Sequence, residues 1–206
     1  MIPTETGLDP VRWWLFDDWH DVSYFPGPPT PDWPGWEARY ENEFERGKRT
    51  SRDTAGLVYS DLLFRMRSSV SSWSRYLNRR MTDDPLLHGG GLHVIDPGGH
   101  LMTHLDYDRH PFTLDKRRSL NLILFVHPKW EPEWGGQFYF TGPSGAVLKL
   151  IEPRPGRLLA FETTDLAYHG VRPVTGPEPR ASLSCFFLEP AGPQNTRTRA
   201  LFLPPR

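Results

Sequence analysis

The sequence predicts a mainly β fold, a double-sheet jelly roll, preceded by a helical and irregular segment. Three observations carry this. From residue 88 onward, short β-prone runs alternate with Gly- and Pro-rich turns. A sustained helical period is confined to residues 53–80. Residues 1–37 are punctuated by proline too often for long regular elements. The jelly roll is also the double-sheet form that can hold a metal in its mouth.

The chain divides accordingly into a supporting segment, 1–87, a β core, 88–190, and a tail, 191–206. The first 37 residues carry Trp13, Trp14, Phe16, Trp19, Tyr24, Phe25, Trp33 and Trp36, too many aromatics for a disordered tail. They read as an irregular segment packed on the surface of the domain. Residues 36 to about 50 are charged and mixed and admit a short helix. In 53–80, Leu57, Leu62, Leu63, Met66, Val70, Trp73 and Leu77 recur at helical spacing. Asp53 or Thr54 is placed to cap the start, and Arg79 and Arg80 read as a solvated end that suits the helix dipole. The expected strands are Gly91–Ile95, Leu101–Asp106, Leu120–Val126, Gln137–Thr141, Val147–Ile151, Arg157–Phe161 and Ala181–Leu188. Turn residues separate them, for example Pro97-Gly98-Gly99 and Gly142-Pro143-Ser144-Gly145.

Composition excludes several function classes. A net charge of −1 with no basic tail gives no reason to expect nucleic acid or an anionic membrane surface as partner. One cysteine, Cys185, cannot build a disulfide framework, and it reads as a small buried hydrophobe in a reducing, cytoplasmic setting. No apolar run approaches the ~20 residues needed to span a bilayer, and the N-terminus lacks the features of a signal peptide.

The chemistry centres on His104-Leu105-Asp106. On a strand, residues i and i+2 face the same way, so His104 and Asp106 point together into the barrel. A third ligand should come from a distant strand end facing the same cavity, and His169 is in position to supply it. Two imidazoles and one carboxylate on one face of an iron ion leave other positions open. In the last β run, Arg180, Ser182, Ser184 and Phe186 share one face, while Ala181, Leu183, Cys185 and Phe187 share the other. An arginine with two hydroxyls inside an apolar barrel suits a carboxylate ligand, which guanidinium grips through paired charge-assisted hydrogen bonds. An edge strand with its polar face in water is the bland alternative. His20, His88, His93, His100, His110 and His127 read as surface or hydrogen-bonded core histidines, and Lys116-Arg117-Arg118 as a solvated face. The loop from Tyr107 to Arg118 is long enough for a lid, with Trp130 and Trp134 as an opposite wall.

These pieces occur in a recognisable order: His104-Leu-Asp106, Arg118-Ser-Leu-Asn121-Leu-Ile-Leu-Phe-Val, Trp134-Gly-Gly-Gln-Phe138, Pro155-Gly-Arg-Leu-Leu-Ala-Phe161, Tyr168-His169-Gly-Val171 and Arg180-Ala-Ser182. Over about residues 88–190 the sequence resembles the 2-oxoglutarate- and Fe(II)-dependent oxygenases, in particular their prolyl-4-hydroxylase-like branch. The resemblance implies a double-stranded β-helix core. It implies that His104, Asp106 and His169 are the catalytic iron ligands, and that Arg180 and Ser182 hold the distal carboxylate of 2-oxoglutarate. Asn121 falls where relatives often place a polar contact to that cosubstrate. The implied cofactors are Fe(II), with 2-oxoglutarate and O2 as cosubstrates and ascorbate as a candidate reductant. The implied reaction hydroxylates an unactivated C–H bond of a small-molecule or peptidyl substrate and releases succinate and CO2. An aspartate at 106, rather than Gly or Ala, favours hydroxylation over halogenation. One departure is Phe125-Val126-His127-Pro128, where relatives more often read Tyr-Leu-Asn, so a tyrosine hydroxyl toward the cosubstrate is missing. Two other readings stand beside this one: a cupin-like metal enzyme without 2-oxoglutarate, and a non-catalytic jelly-roll binding module.

Overall fold

The computed structural model describes residues 2–21 and 25–204; Tyr24, one of the N-terminal aromatics, lies outside them. In chain order the strands are β1 (Glu5–Gly7), β2 (Trp13–Phe16), β3 (Ala38–Glu41), β4 (Glu45–Ser51), β5 (Thr82–Asp83), β6 (Gly91–Leu105), β7 (Lys116–Phe125), β8 (Phe138–Thr141), β9 (Val147–Ile151), β10 (Leu158–Glu162), β11 (Tyr168–Val171), β12 (Arg180–Pro190) and β13 (Leu201–Phe202). Two helices, α1 (Leu57–Ser68) and α2 (Val70–Leu77), lie between β4 and β5. The main strand path is β1-β2-β10-β7-β12-β6-β11-β8-β9, with β4 and β13 also on β6, β3 on β4 and β5 on β12.

β6 joins the two halves of the roll. Its first half pairs with β12, from Ser184↔Gly91 to Arg180↔Ile95, and its second half pairs with β11, where His169 lies opposite His104. Pro97-Gly98-Gly99, expected to separate two strands, instead lies within this one long strand. The curled antiparallel sheet is the double-stranded β-helix expected from the sequence.

The strands in the middle of the path are buried on both faces. Leu120, Leu122 and Leu124 of β7, Leu158 and Ala160 of β10, and Ala181, Leu183, Cys185 and Phe187 of β12 form one core with Tyr59, Leu62, Leu63, Met66 and Trp73 of the helices. The alternate residues Ile123, Phe125, Leu159 and Phe161 turn the other way and pack with Phe138 and Phe140 of β8. Period-two alternation therefore sorts each strand between a helix-covered face and a cavity face. Cys185 lies on the helix side, where burial pushes its thiol pKa up.

The supporting segment departs from the expectations in four places. Trp13 to Phe16 form a fully buried strand, β2, which adds to the edge of β10 rather than lying irregularly on the surface. Residues 38–51 form a hairpin of β3 and β4 on β6 instead of a helix. Alternation of inward and outward residues, not charge, decides that stretch: Arg49 and Ser51 are buried while their neighbours are not. The helical region breaks at Ser69, whose hydroxyl donates to the Met66 carbonyl at 2.6 Å, and α1 starts at Gly56 without a side-chain cap. Arg79 is not a solvated end, because its guanidinium bridges Glu162 and Glu189 at 2.5 Å each.

Gly91, where β6 enters between β4 and β12, has φ +98°, and a Cβ there would come within 2.2 Å of the Ser51 carbonyl oxygen. Both the left-handed backbone and the contact with rigid β4 exclude a side chain. Gly91→Ala is expected to cost about 2–4 kcal/mol of stability. A urea unfolding curve with an unshifted midpoint would refute this.

Candidate metal centre and active site

The register of β6 against β11 sets His104 and His169 side by side, with ring centroids 4.3 Å apart. Asp106 follows two residues after His104, and its Oδ2 lies 3.9 Å from His169 Nε2. One ligand atom from each of the three residues lies within 4.8 Å of the others. The tautomers are fixed by the backbone. Nδ1–H of His104 donates to the Met102 carbonyl at 2.9 Å, and Nδ1–H of His169 donates to the Ala167 carbonyl at 2.8 Å. Each ring thus keeps its Nε2 lone pair for a ligand.

The electrostatics suit a cation at the same point. Burial, reinforced by His169, pushes the His104 pKa down to about 3, and burial lowers that of His169 as well, so both rings are neutral at physiological pH. For Asp106 burial opposes the charge, but nearby positive charge, Arg118 foremost, more than offsets it, and the carboxyl stays below its usual range. Asp106 Oδ1 accepts from Arg118 at 2.9 Å, whereas Oδ2 is buried with no hydrogen-bond partner among the described residues. A buried carboxylate oxygen without a donor is costly unless a cation meets it. Two imidazole lone pairs, one such oxygen and mixed nitrogen and oxygen chemistry fit Fe(II).

Arg118 is the residue that sequence reasoning missed. Expected on a solvated face, it is 3% exposed. It donates to Asp106 and to the His88 carbonyl and lies between the Tyr107 and Phe186 rings, 3.5 and 3.3 Å from their centroids. Its neighbours Lys116 and Arg117 are half-buried, and Arg117 pairs with Glu189 at 2.5 Å. A register shift between β7 and β12 explains the error: Leu120 faces Phe187 but Arg118 faces Leu188, so Ser119 is an extra residue. The bulge puts Arg118 on the same side as Asn121, which simple alternation forbids.

From His104, Asp106 and His169 a cavity of about 200 Å³ runs back along the inner faces of β7 and β12. Arg180, Ser182 and Asn121 all line it. The Arg180 guanidinium is buried, donates through Nε to the Gly136 carbonyl at 3.0 Å and through Nη1 to the Ser182 hydroxyl at 3.3 Å, and lies 4.9 Å from the Phe125 ring centroid. No carboxylate among the described residues pairs with it, and burial lowers its pKa to about 9. Phe125, where a tyrosine was missed, supplies a ring face to this cation rather than a hydroxyl. Asn121 accepts a hydrogen bond from the Ser184 hydroxyl at 3.1 Å.

Two predictions follow from these environments. His127 is buried, its Nε2–H donating to the Pro153 carbonyl at 2.5 Å, and burial next to Arg180 lowers its pKa from 6.5 to about 4. Burial lowers His93 to about 3. The unfolded chain binds these protons near pH 6.5 and the folded chain only well below it, so acid favours unfolding. As pH falls from about 6.5 toward 4, each histidine should remove up to about 1.4 kcal/mol of stability per pH unit. Denaturation curves that stay level across that window would contradict the assignment. Secondly, Arg118→Met should weaken Fe(II) binding roughly 10- to 100-fold by freeing the Asp106 carboxylate to turn. An anaerobic Fe(II) titration that matches wild type would exclude this positioning role.

Known proteins resemble this chain in sequence pattern and in fold. A family model described as the 2OG-Fe(II) oxygenase superfamily matches residues 90–188. No curated protein matches the chain. A prolyl-4-hydroxylase from Pseudomonas putida is similar in structure, with 23% identity over 71% of this chain and 74% of its own, at a TM-score of 0.51. A prolyl hydroxylase from Trichoplax adhaerens, solved with a hypoxia inducible factor peptide fragment, aligns over 87% of this chain and 84% of its own, at 16% identity and a TM-score of 0.58. The viral collagen prolyl hydroxylase of Paramecium Bursaria Chlorella virus-1 aligns over 85% and 95%, at 13% identity and a TM-score of 0.52. The matched segment runs from β6 into β12 and includes His104, Asp106 and His169, so this part of the chain is similar to the 2OG-Fe(II) oxygenase superfamily, and the solved prolyl hydroxylases share its fold.

Proposed function

We propose that this chain is an Fe(II)- and 2-oxoglutarate-dependent dioxygenase that hydroxylates an unactivated C–H bond of a small-molecule or peptidyl substrate. The observation that carries it is the pairing, in one cavity, of the His104, Asp106 and His169 set with a buried Arg180 that lacks a carboxylate partner. His104, Asp106 and His169 would hold the iron. Bound there, it would supply oxygen activation coupled to oxidative decarboxylation, so that O2, 2-oxoglutarate and substrate C–H become succinate, CO2 and substrate C–OH.

The protein's part is to bind, orient and exclude water. With Nε spent on the Gly136 carbonyl and Nη1 on the Ser182 hydroxyl, the Arg180 guanidinium lines the cavity, and together with Ser182 it would grip the distal carboxylate of the cosubstrate. Asn121, tied to Ser184, would add a polar contact. Ile95, Ile123, Phe138 and Val171 line the cavity between these polar ends and keep it dry. Arg118 holds one oxygen of Asp106 and leaves the other for the metal. The similar proteins from Trichoplax adhaerens and the chlorella virus are prolyl hydroxylases, the first solved with a peptide fragment, which is what supports the peptidyl side of this reading. No helix of the described residues is long and apolar enough to cross a membrane.

The test is an anaerobic titration of the metal-free protein with Fe(II) and then 2-oxoglutarate, followed in the visible spectrum. A charge-transfer band that needs both additions is expected. In Arg180→Ala the same band should require roughly a hundredfold more 2-oxoglutarate with iron affinity little changed, the effect of losing a charge-assisted pair. Bound iron without any band would instead favour a metal enzyme that does not use 2-oxoglutarate.

A further inference from the structure

The cavity has one wall that the reading above leaves without a role. It comes from β4 of the supporting segment and carries Glu45 and Lys48. The two side chains are about as buried as each other, 14% and 12% exposed, and form an ion pair at 2.5 Å. Three residues apart on a regular strand, they would face opposite ways. Glu45 pairs with Leu101 and Lys48 with Ile95, and the register shifts at Gly47. Leu101 and Ile95 both line the cavity, so their cross-strand partners do too. Gly47, at φ +61° with its Cβ position 3.1 Å from Gly99 Cα, is the residue that permits the bulge. The Lys48 ammonium stands 4.9 Å over the Tyr40 ring and interacts electrostatically with His104, Asp106 and His169. On the adjoining strand β6, His93 has a buried Nε2 with no partner among the described residues.

Beside this wall, on the same edge of β6, the mouth is apolar. β13 pairs with the end of β6, so that Phe202 lies opposite His104. Its ring stacks on His104 at 5.1 Å and on Phe44 at 5.0 Å.

We propose that Glu45 and Lys48 recognise the substrate to be oxidised, and that this substrate is a small zwitterion of the α-amino acid class, its carboxylate taken by Lys48 and its ammonium by Glu45. This rests on the proposed oxygenase function. The charge argument selects the class. Both members of a part-buried pair must stay compensated. A purely anionic ligand would draw Lys48 away and strand Glu45, and a purely cationic one would do the reverse. A zwitterion compensates both. The volume argument points the same way, because a cavity of about 200 Å³ that also takes the cosubstrate leaves little room.

The test uses the full chain loaded anaerobically with Fe(II) and 2-oxoglutarate, titrated calorimetrically. The probes are the twenty free L-amino acids, the N-acetyl amide of each one that binds, and acetyl-Gly-Pro-Gly-amide. At least one free amino acid should bind, and its N-acetyl amide should bind roughly thirtyfold more weakly or worse. Lys48→Met and Glu45→Gln should each lose a similar factor, and Lys48→Arg should recover most of it, which separates lost charge from lost fold. The proposal is overturned if no free amino acid binds, if the blocked tripeptide binds more tightly than every free amino acid, or if Lys48→Met binds like wild type. The charge-transfer band recorded on the same sample judges the oxygenase reading separately, and without it the titration with free amino acids alone decides the subsite.

Discussion

The site depends on β7, β10 and β12 being covered on both faces. Helices α1 and α2 close one face with Tyr59, Leu62, Leu63, Met66 and Trp73. Because that side supplies a dry, continuous core, the other face of the same strands is free to carry Arg180, Ser182, Ser184 and Asn121 without leaving the sheet unsupported. Without the helices, the row of Leu120, Leu122 and Leu124 on β7 and of Leu183, Cys185 and Phe187 on β12 would face water. The supporting segment is therefore a condition of the site rather than an addition to it. It reaches the site directly as well, since β4 forms one wall.

Three departures from ideal pairing then aim the polar groups. The shift at Ser119 turns Arg118 onto Asp106, and the one at Gly47 turns Lys48 and Glu45 to the same side. A third, between β6 and β11, lets Leu101 and His104 both face the cavity although they stand three positions apart. Each bulge costs a ladder position and gains a side chain in a place that alternation cannot reach. All three border the His104, Asp106 and His169 group.

This explains which parts were legible in the sequence. The β12 faces follow from strict alternation, and its polar and apolar rows lie where the pattern puts them. His104 and Asp106 stand two apart without an intervening bulge, so their common direction could be read. Arg118 could not, because the run Lys116-Arg117-Arg118 carries no mark of the extra residue that follows it. The register of β4 was equally hidden: a charged, mixed stretch suggests a helix until its pairing with β6 is known. Trp13 to Phe16 misled in the opposite sense, since nearby prolines suggested irregular structure while all four residues enter the sheet. Pairing across long sequence distances decides these elements, and local propensity does not record it.

The distribution of charge in the cavity ties the pieces together. Three cations face it, and two are already matched: Arg118 by Asp106 and Lys48 by Glu45. Arg180 alone has no carboxylate, only the Gly136 carbonyl, a serine hydroxyl and a ring face. A buried guanidinium so placed is compensated best by an anionic ligand. Under the proposed function, a dicarboxylate entering this cavity therefore has one anchored end, at Arg180. Its other end is directed along the apolar walls of Ile123, Phe138 and Val171 toward the two imidazoles and the open oxygen of Asp106. The pairing of Arg118 with Asp106 supports this orientation, because an unpaired guanidinium beside His104 would offer the same carboxylate a second home.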